Sequence, residues 1–284
     1  MIYFCADDYG ISPQCNNCVD DCLKYGTLNK VSVLPNGQIS EYKKLLSSGA
    51  EISLHINLVE GRPLSNPKDV DLIINDSGCF KYSFGGLFLL SFFAKRKKYE
   101  KQVYKEIKTQ IRLWKECIGD KTPVSLDSHQ HTYMIPWIFK ILIQVIKDED
   151  IDVKYLRIPE EPVSPYIFTP SLYREYCLKG IAKQWILKTL AFVNRNEFKK
   201  LKIEPAYFMG AMFSGQLSEE RLIKLLPQYL RLAEKKGRNI EIGFHPGCSQ
   251  NVESLLDGSK ESFHKFYFSP WRNIEYDTLI NFKF

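Results

Sequence analysis

No apolar run in this chain is long enough to cross a bilayer: the longest, Gly85 to Ala94 (GGLFLLSFFA), is about half of the ~20 residues a spanning helix needs. The start, MIYFCADDYG, does not read as a secretory leader either, because two aspartates follow the apolar residues Ile2 to Ala6 almost at once. Glycine and proline are modest, at 16 and 14 of 284 residues, which excludes collagen-like and low-complexity chains. Internal repeats and dividing linkers are missing, so a single domain over residues 1–284 is expected. The eight cysteines are scattered through a long chain instead of forming a dense framework. A cytoplasmic protein with reduced thiols is therefore expected, without membrane contact. Thirty-nine Lys and Arg against 33 Asp and Glu leave +6, an excess too small to name a partner, and no nucleic-acid-binding pattern accompanies it.

What the chain does have is apolar material for a sizeable core, with 44% hydrophobic and 13% aromatic residues. Short apolar runs alternate with amphipathic stretches, the rhythm of parallel strands joined by crossover helices. Strands are expected at Ile2 to Ala6, Val31 to Leu34, Ile52 to Ile56, Val124 to Asp127, Tyr155 to Ile158, Ala206 to Met209 and Ile240 to Phe244. Helices are expected from Ser12-Pro13 to Tyr25, Glu41 to Leu46, Tyr99 to Ile118, Pro136 to Ile146, Ser171 to Asn196 and Ser218 to Lys236. Together they suggest an α/β fold, an irregular or seven-stranded (β/α) barrel; an open doubly wound sheet is the alternative. Both put the active site at the C-terminal strand ends. Residues 60–98 break the rhythm with glycines, prolines and the apolar run, and read as an insertion that serves as a lid.

Four of the five histidines stand at expected strand ends: His55 in SLHINL, His129 and His131 in DSHQH, and His245 in GFHPG. Asp7 and Asp8 follow the first strand in the same way. One strand-end histidine alone is ordinarily a hydrogen-bonded structural residue, but four with an Asp-Asp pair point to a site. One carboxylate and two imidazoles suit one divalent metal ion: Zn²⁺, or with extra waters Mn²⁺, Co²⁺ or Mg²⁺. Successive side chains alternate across a regular strand, so Asp7 and Asp8 must sit where the strand is ending. Gly10 permits a turn there, letting one carboxylate bind metal while its neighbour takes a proton. One of the pair could instead cap the following helix.

In order along the chain, ADDYGIS, VLPNG, SLHINLVEGRPLS, DSHQHTYMIP, LRIP, FMGAMFSGQLS, EIGFHPG and WRNIEYDTL resemble the motifs of the YdjC-like carbohydrate deacetylase family. The resemblance implies that Asp8, His55 and His129 hold the metal, that Asp7 is the general base and that His245 is the general acid. It places Arg157 near the site, orienting Asp7 or the substrate, with a surface ion pair as the plain alternative. Tyr133 stands where many relatives have a third histidine, which suits a substrate hydroxyl contact, and His131 is a second-layer partner, an alternative ligand or a substrate contact. The implied reaction is hydrolysis of an N-acetyl group from an amino sugar or short oligosaccharide. Alternatives are a deacetylase of a lipid-linked sugar at a membrane surface and a non-catalytic carbohydrate-binding relative; whether the chain forms a homodimer stays open.

Other signals carry less. Cys15, Cys18 and Cys22 share one helical face and lack a fourth ligand, so they read as small buried residues, not as a zinc or redox site. The cations of Lys95 to Lys98 read as a solvated face, and the neighbouring apolar run as buried lid packing. An Fe(II) oxygenase also uses two histidines and a carboxylate, but has no need of the separate Asp7 and His245.

Overall fold

A computed structural model describes residues 1–39, 42–247 and 255–284. In chain order the elements are β1 (Ile2–Tyr9), α1 (Pro13–Tyr25), β2 (Lys30–Val33), α2 (Tyr42–Leu46), β3 (Glu51–Ile56), α3 (Phe84–Leu89), α4 (Arg96–Ile118), β4 (Val124–Ser128), α5 (Pro136–Asp148), β5 (Val153–Leu156), α6 (Ser164–Ile167), α7 (Leu178–Lys199), β6 (Tyr207–Met209), α8 (Glu219–Lys236), β7 (Ile240–Phe244), α9 (Glu261–Tyr267) and α10 (Trp271–Asn281). The expected start of the second helix, Glu41, lies outside the described residues.

All pairings are parallel, in the order β5-β4-β3-β2-β1-β7-β6. Laid flat, five inter-strand spacings would hold β5 roughly 24 Å from β7. Yet the Tyr155 hydroxyl of β5 donates to Glu241 of β7, and Arg157, just past β5, donates to the same carboxylate at 2.8 Å. The sheet therefore curls on itself into a barrel-like half-cylinder with a polar interior. Between β5 and β6 the ladder is broken; a backbone bond from the Phe208 N–H to the Glu160 carbonyl (3.1 Å) spans the gap. The seven-stranded reading agrees with this sheet, whose outer faces are covered by the helices.

Local chemistry explains the boundaries. Ser12 caps α1 by accepting from the Cys15 N–H (3.1 Å), and Pro13 opens the helix where its missing N–H costs nothing. Gly26 ends α1 with φ −105°, so no left-handed turn demands it; a side chain there would run into the Leu279 carbonyl of α10. The helix expected from Ser171 is shorter. Residues Pro170–Glu175 form a 3₁₀ turn, Tyr176 and Cys177 are extended, and α7 begins only at Leu178, its first turn capped by Cys177 Sγ.

Residues 57–95 are anchored, not free-standing: Val70, Ile73, Phe80 and Leu87 are buried in the main core. The apolar run departs from its expected burial. Leu87 and Leu90 are inside, but Leu89, Phe92 and Phe93 are exposed, because the run forms a short helix that can bury only one side. Of the three clustered cysteines, Cys15 and Cys22 are buried and Cys18 is half-buried. No helix among the described residues is long and apolar enough to cross a membrane.

Candidate active site

The first strand carries the expected acidic pair beyond Ala6, as far as Tyr9, and solves the alternation problem with an irregularity. Register against β2 shifts between Ala6 and Tyr9, and Asp8 takes φ +66°, so the two neighbouring carboxylates turn to different partners. Gly10 follows at φ +103°, a conformation glycine adopts without strain, with Gly37 packed against it.

Asp8 is the centre of the cluster. Its Oδ1 lies 2.7 Å from His129 Nδ1 and 3.1 Å from His55 Nε2. Its Oδ2 accepts from the Tyr267 hydroxyl at 2.5 Å, with His245 Nε2 3.9 Å away. His55 is the penultimate residue of β3; His129 begins the turn after β4, where Gln130 and His131 take left-handed φ of 53° and 56° and swing the chain across the strand ends. Behind the two imidazoles stand two more carboxylates. Asp127 takes His55 Nδ1 at 2.6 Å, and Glu60 takes His129 Nε2 at 3.0 Å. A carboxylate behind each imidazole is the arrangement that fixes ring orientation in metal-ligating histidines.

Asp8, His55 and His129 are buried and can each offer a ligand atom within 4.8 Å of the others. One oxygen and two nitrogens, with their outer partners in place, fit a divalent cation, and the buried Glu60 Oε1, which has no partner among the described residues, adds negative charge beside them. Two further groupings of this kind, Cys5-Asp127-Glu241 and Asp7-His55-Asp127, surround the Arg157 guanidinium, which already supplies their positive charge.

Electrostatics follow from this packing. Burial opposes charge on His55 and His129, but Asp127 and Asp8 raise His55 to about 9, and Asp8 and Glu60 raise His129 to about 10. Asp8 is held well below the ordinary carboxylate range, burial notwithstanding, by His129 and His55. Asp7 is lowered too: burial would raise it, but Arg157 grips both its oxygens at 2.8 Å. Burial pushes His245 and His131 the other way, below the usual imidazole value.

The remaining expected residues have definite places. Arg157 is only 1% exposed and spans Asp7, Asp127 and Glu241, so it is a buried cation and not a surface ion pair. Tyr133 is buried with its hydroxyl donated to the Arg157 carbonyl, where it supports the Arg157 segment. His131 lies edge-on to Phe208 (5.4 Å) at the same end of the sheet. His245 follows β7; its backbone N–H donates to Glu275 (2.7 Å), and its ring packs edge-on to Phe266. Glu60, Asp127, Tyr267 and Glu275 complete the site and were not singled out from sequence.

A family model described as YdjC-like protein matches residues 1–284. The chain belongs to the YdjC-like family. It is 30% identical over 174 residues to the carbohydrate deacetylase of Danio rerio, covering 60% of this chain and 54% of that one. The chitooligosaccharide deacetylase of Escherichia fergusonii is 24% identical over 260 residues, 87% of this chain and 97% of the relative. The chain thus spans about half the length of the vertebrate relatives it matches and nearly all of the bacterial one. A crystal structure from Enterococcus faecalis, described as a cellobiose-phosphate cleavage protein, superposes with TM-score 0.67 at 16% identity, covering 99% of this chain and 90% of that one; it shares the fold. For this YdjC-like chain, then, the four strand-end histidines expected from sequence lie at one end of one sheet with the acidic pair, and three of them, His55, His129 and His245, gather around Asp8.

Proposed function

We propose that this YdjC-like protein is a metal-dependent hydrolase that removes an N-acetyl group from an amino sugar or short oligosaccharide. The observation that carries the reading is the buried Asp8-His55-His129 cluster with its outer carboxylates, beside Asp7 and His245, in a chain whose relatives are named carbohydrate and chitooligosaccharide deacetylases. A divalent cation held by those three residues would supply an activated water and polarise the amide carbonyl.

The chain's own residues do the rest. Asp7, fixed by the two-pronged Arg157 contact, accepts the proton released as water attacks. His245, the more open of the two flanking groups and turned toward Asp8 through Nε2, protonates the departing amine, without which an amide leaves poorly. The partly buried aromatic residues Tyr82, Phe84 and Phe88 of the 60–98 segment are the side chains there that would offer faces to a sugar ring.

Acetate release from N-acetylated mono- and oligosaccharides, run beside metal analysis of the purified protein, tests the reading. Activity that requires a stoichiometric divalent ion supports it; full metal loading with no acetate from any such sugar refutes it.

A further inference from the structure

The long helix α7 does not run along the outside of the sheet as a crossover helix would. Its N-terminal half is fixed to the loop after β6, where Lys183 Nζ donates to Ser214 Oγ (2.6 Å) and Gly180 packs on the Met212 carbonyl. Its C-terminal half is fixed to the turn after β4, where Asn194 donates to the Met134 carbonyl (2.8 Å). Both anchors lie at C-terminal strand ends, so α7 crosses the face of the molecule that carries the site.

Its inner side packs through Gln184, Leu187 and Leu190. Its outer side is apolar and bare: Leu178 is 86% exposed, Trp185 53% and Phe192 63%, with Ile186 and Val193 alongside. Leu178, Trp185 and Phe192 recur every seven residues and form a stripe about two turns between members. An apolar surface of this kind wants a cover.

Charge says which cover. Residues 176–203 hold seven Lys or Arg and a single Glu, so this short segment accounts for the +6 of the whole chain, and the rest of the sequence balances. The single Glu, Glu197, is already paired with Lys200 at 2.8 Å. Cations sit directly over the exposed rings, Lys188 Nζ 5.2 Å from Trp185 and the Arg195 guanidinium 3.8 Å from Phe192. A second copy of the chain packed on this stripe would bring two strongly positive segments together. An anionic lipid surface would not: its headgroups take the cations while the aromatic and aliphatic side chains enter the interfacial region.

We propose that the outer face of α7 docks the protein on an anionic membrane surface, holding the site end of the sheet against the bilayer. Two further apolar side chains are exposed in a nearby segment. They are Leu89, which ends α3, and Phe92 just beyond it; the Leu87 carbonyl of α3 accepts from Trp137 at the start of α5, three residues from the Met134 that α7 grips.

The test is co-sedimentation of the full chain, without substrate, with vesicles of phosphatidylcholine alone and of phosphatidylcholine mixed with phosphatidylglycerol. Binding to the mixed vesicles only, weakened by salt and accompanied by a blue shift of Trp185 emission that Trp185→Phe removes, is the expected result. Lys179→Gln and Lys199→Gln should each weaken binding about fivefold, and Trp185→Ser with Phe192→Ser at least roughly tenfold, all with unchanged circular dichroism. Failure to sediment with mixed vesicles at low salt, or sedimentation that none of these variants alters, overturns the proposal. So does a wild-type dimer in sedimentation velocity that Trp185→Ser with Phe192→Ser converts to monomer. Binding is read without turnover, so its failure leaves the deacetylase reading standing, and the reverse.

Discussion

Glu241 offers the sharpest test of how the polar interior is held. It is buried in β7, 2.8 Å from Lys30 Nζ and 2.8 Å from the Arg157 guanidinium, and accepts from the Tyr155 hydroxyl. Burial alone would raise its pKa; Arg157 and Lys30 outweigh it and bring the carboxyl from 4.5 down to about 2. A carboxyl depressed in the folded state contributes stability that is fully present above pH 4.5 and is lost as pH falls toward 2. The difference is worth about 3 kcal/mol at neutral pH, of which about 2 kcal/mol is lost by pH 3. Glu241→Gln removes this contribution and also strands Lys30, which has no exposure, so at neutral pH it should cost about 3–5 kcal/mol. Urea unfolding of both proteins at neutral pH and near pH 3 gives the answer. The gap between them should be large at neutral pH and narrower by about 2 kcal/mol in acid, since the other carboxylates titrate in both. A gap that does not change with pH, or a neutral cost under about 1 kcal/mol, would refute the reasoning.

His129→Ala should abolish most divalent-metal content, because two remaining ligands make a weak chelate; metal analysis showing wild-type loading would sink the ligand assignment. Asp7→Asn and His245→Ala should each lower kcat for acetate release by ~10² to 10⁴ with metal content intact, and unchanged turnover in either would remove that residue from the mechanism. Tyr267→Phe deletes the hydroxyl that donates to Asp8 Oδ2 and should weaken metal affinity measurably while costing about 0.5–1.5 kcal/mol of stability, as read by chelator competition and urea unfolding. Gly26→Ala drives a methyl into the Leu279 carbonyl and should cost about 1–3 kcal/mol despite the ordinary backbone angles, visible as a lower midpoint in the same unfolding assay.

The parts of the fold that could be read from the sequence are those that local pattern dictates. The seven strands carry apolar residues at alternate positions because helices cover their outer face, and Ser12-Pro13 marks a helix start by its own capping chemistry. The Ser171 region shows the limit: its composition suits a helix throughout, but the extended pair Tyr176-Cys177 is imposed by the path the chain takes to lay α7 across the strand ends, which no local signal records. The exposed face of α7 is not legible in the sequence for a related reason. A stripe of Leu178, Trp185 and Phe192 looks like a core stripe until the structure shows the opposite side of the helix packed inward.

The site divides along the same line. Asp7, Asp8, His55, His129 and His245 were visible because they stand at the ends of recognisable strands, and topology alone gathers such ends. Their supporting partners obey no such rule. Glu60 sits in a loop and Tyr267 in a short helix more than two hundred residues from the aspartate it donates to; only the folded path relates them. Arg157 shows why this matters. From sequence it could be placed near Asp7 but not told apart from a surface ion pair, because the distinguishing fact is the curl of the sheet, which carries β5 across the interior to β1 and β7 and turns a strand-end arginine into the buried cation between Asp7, Asp127 and Glu241. Any change that loosens that curl should therefore reach catalysis through Asp7, which is held across the interior by Arg157, before it reaches the metal ligands, since Asp8, His55 and His129 draw on β1, β3 and β4, which are joined through β2 by continuous ladders.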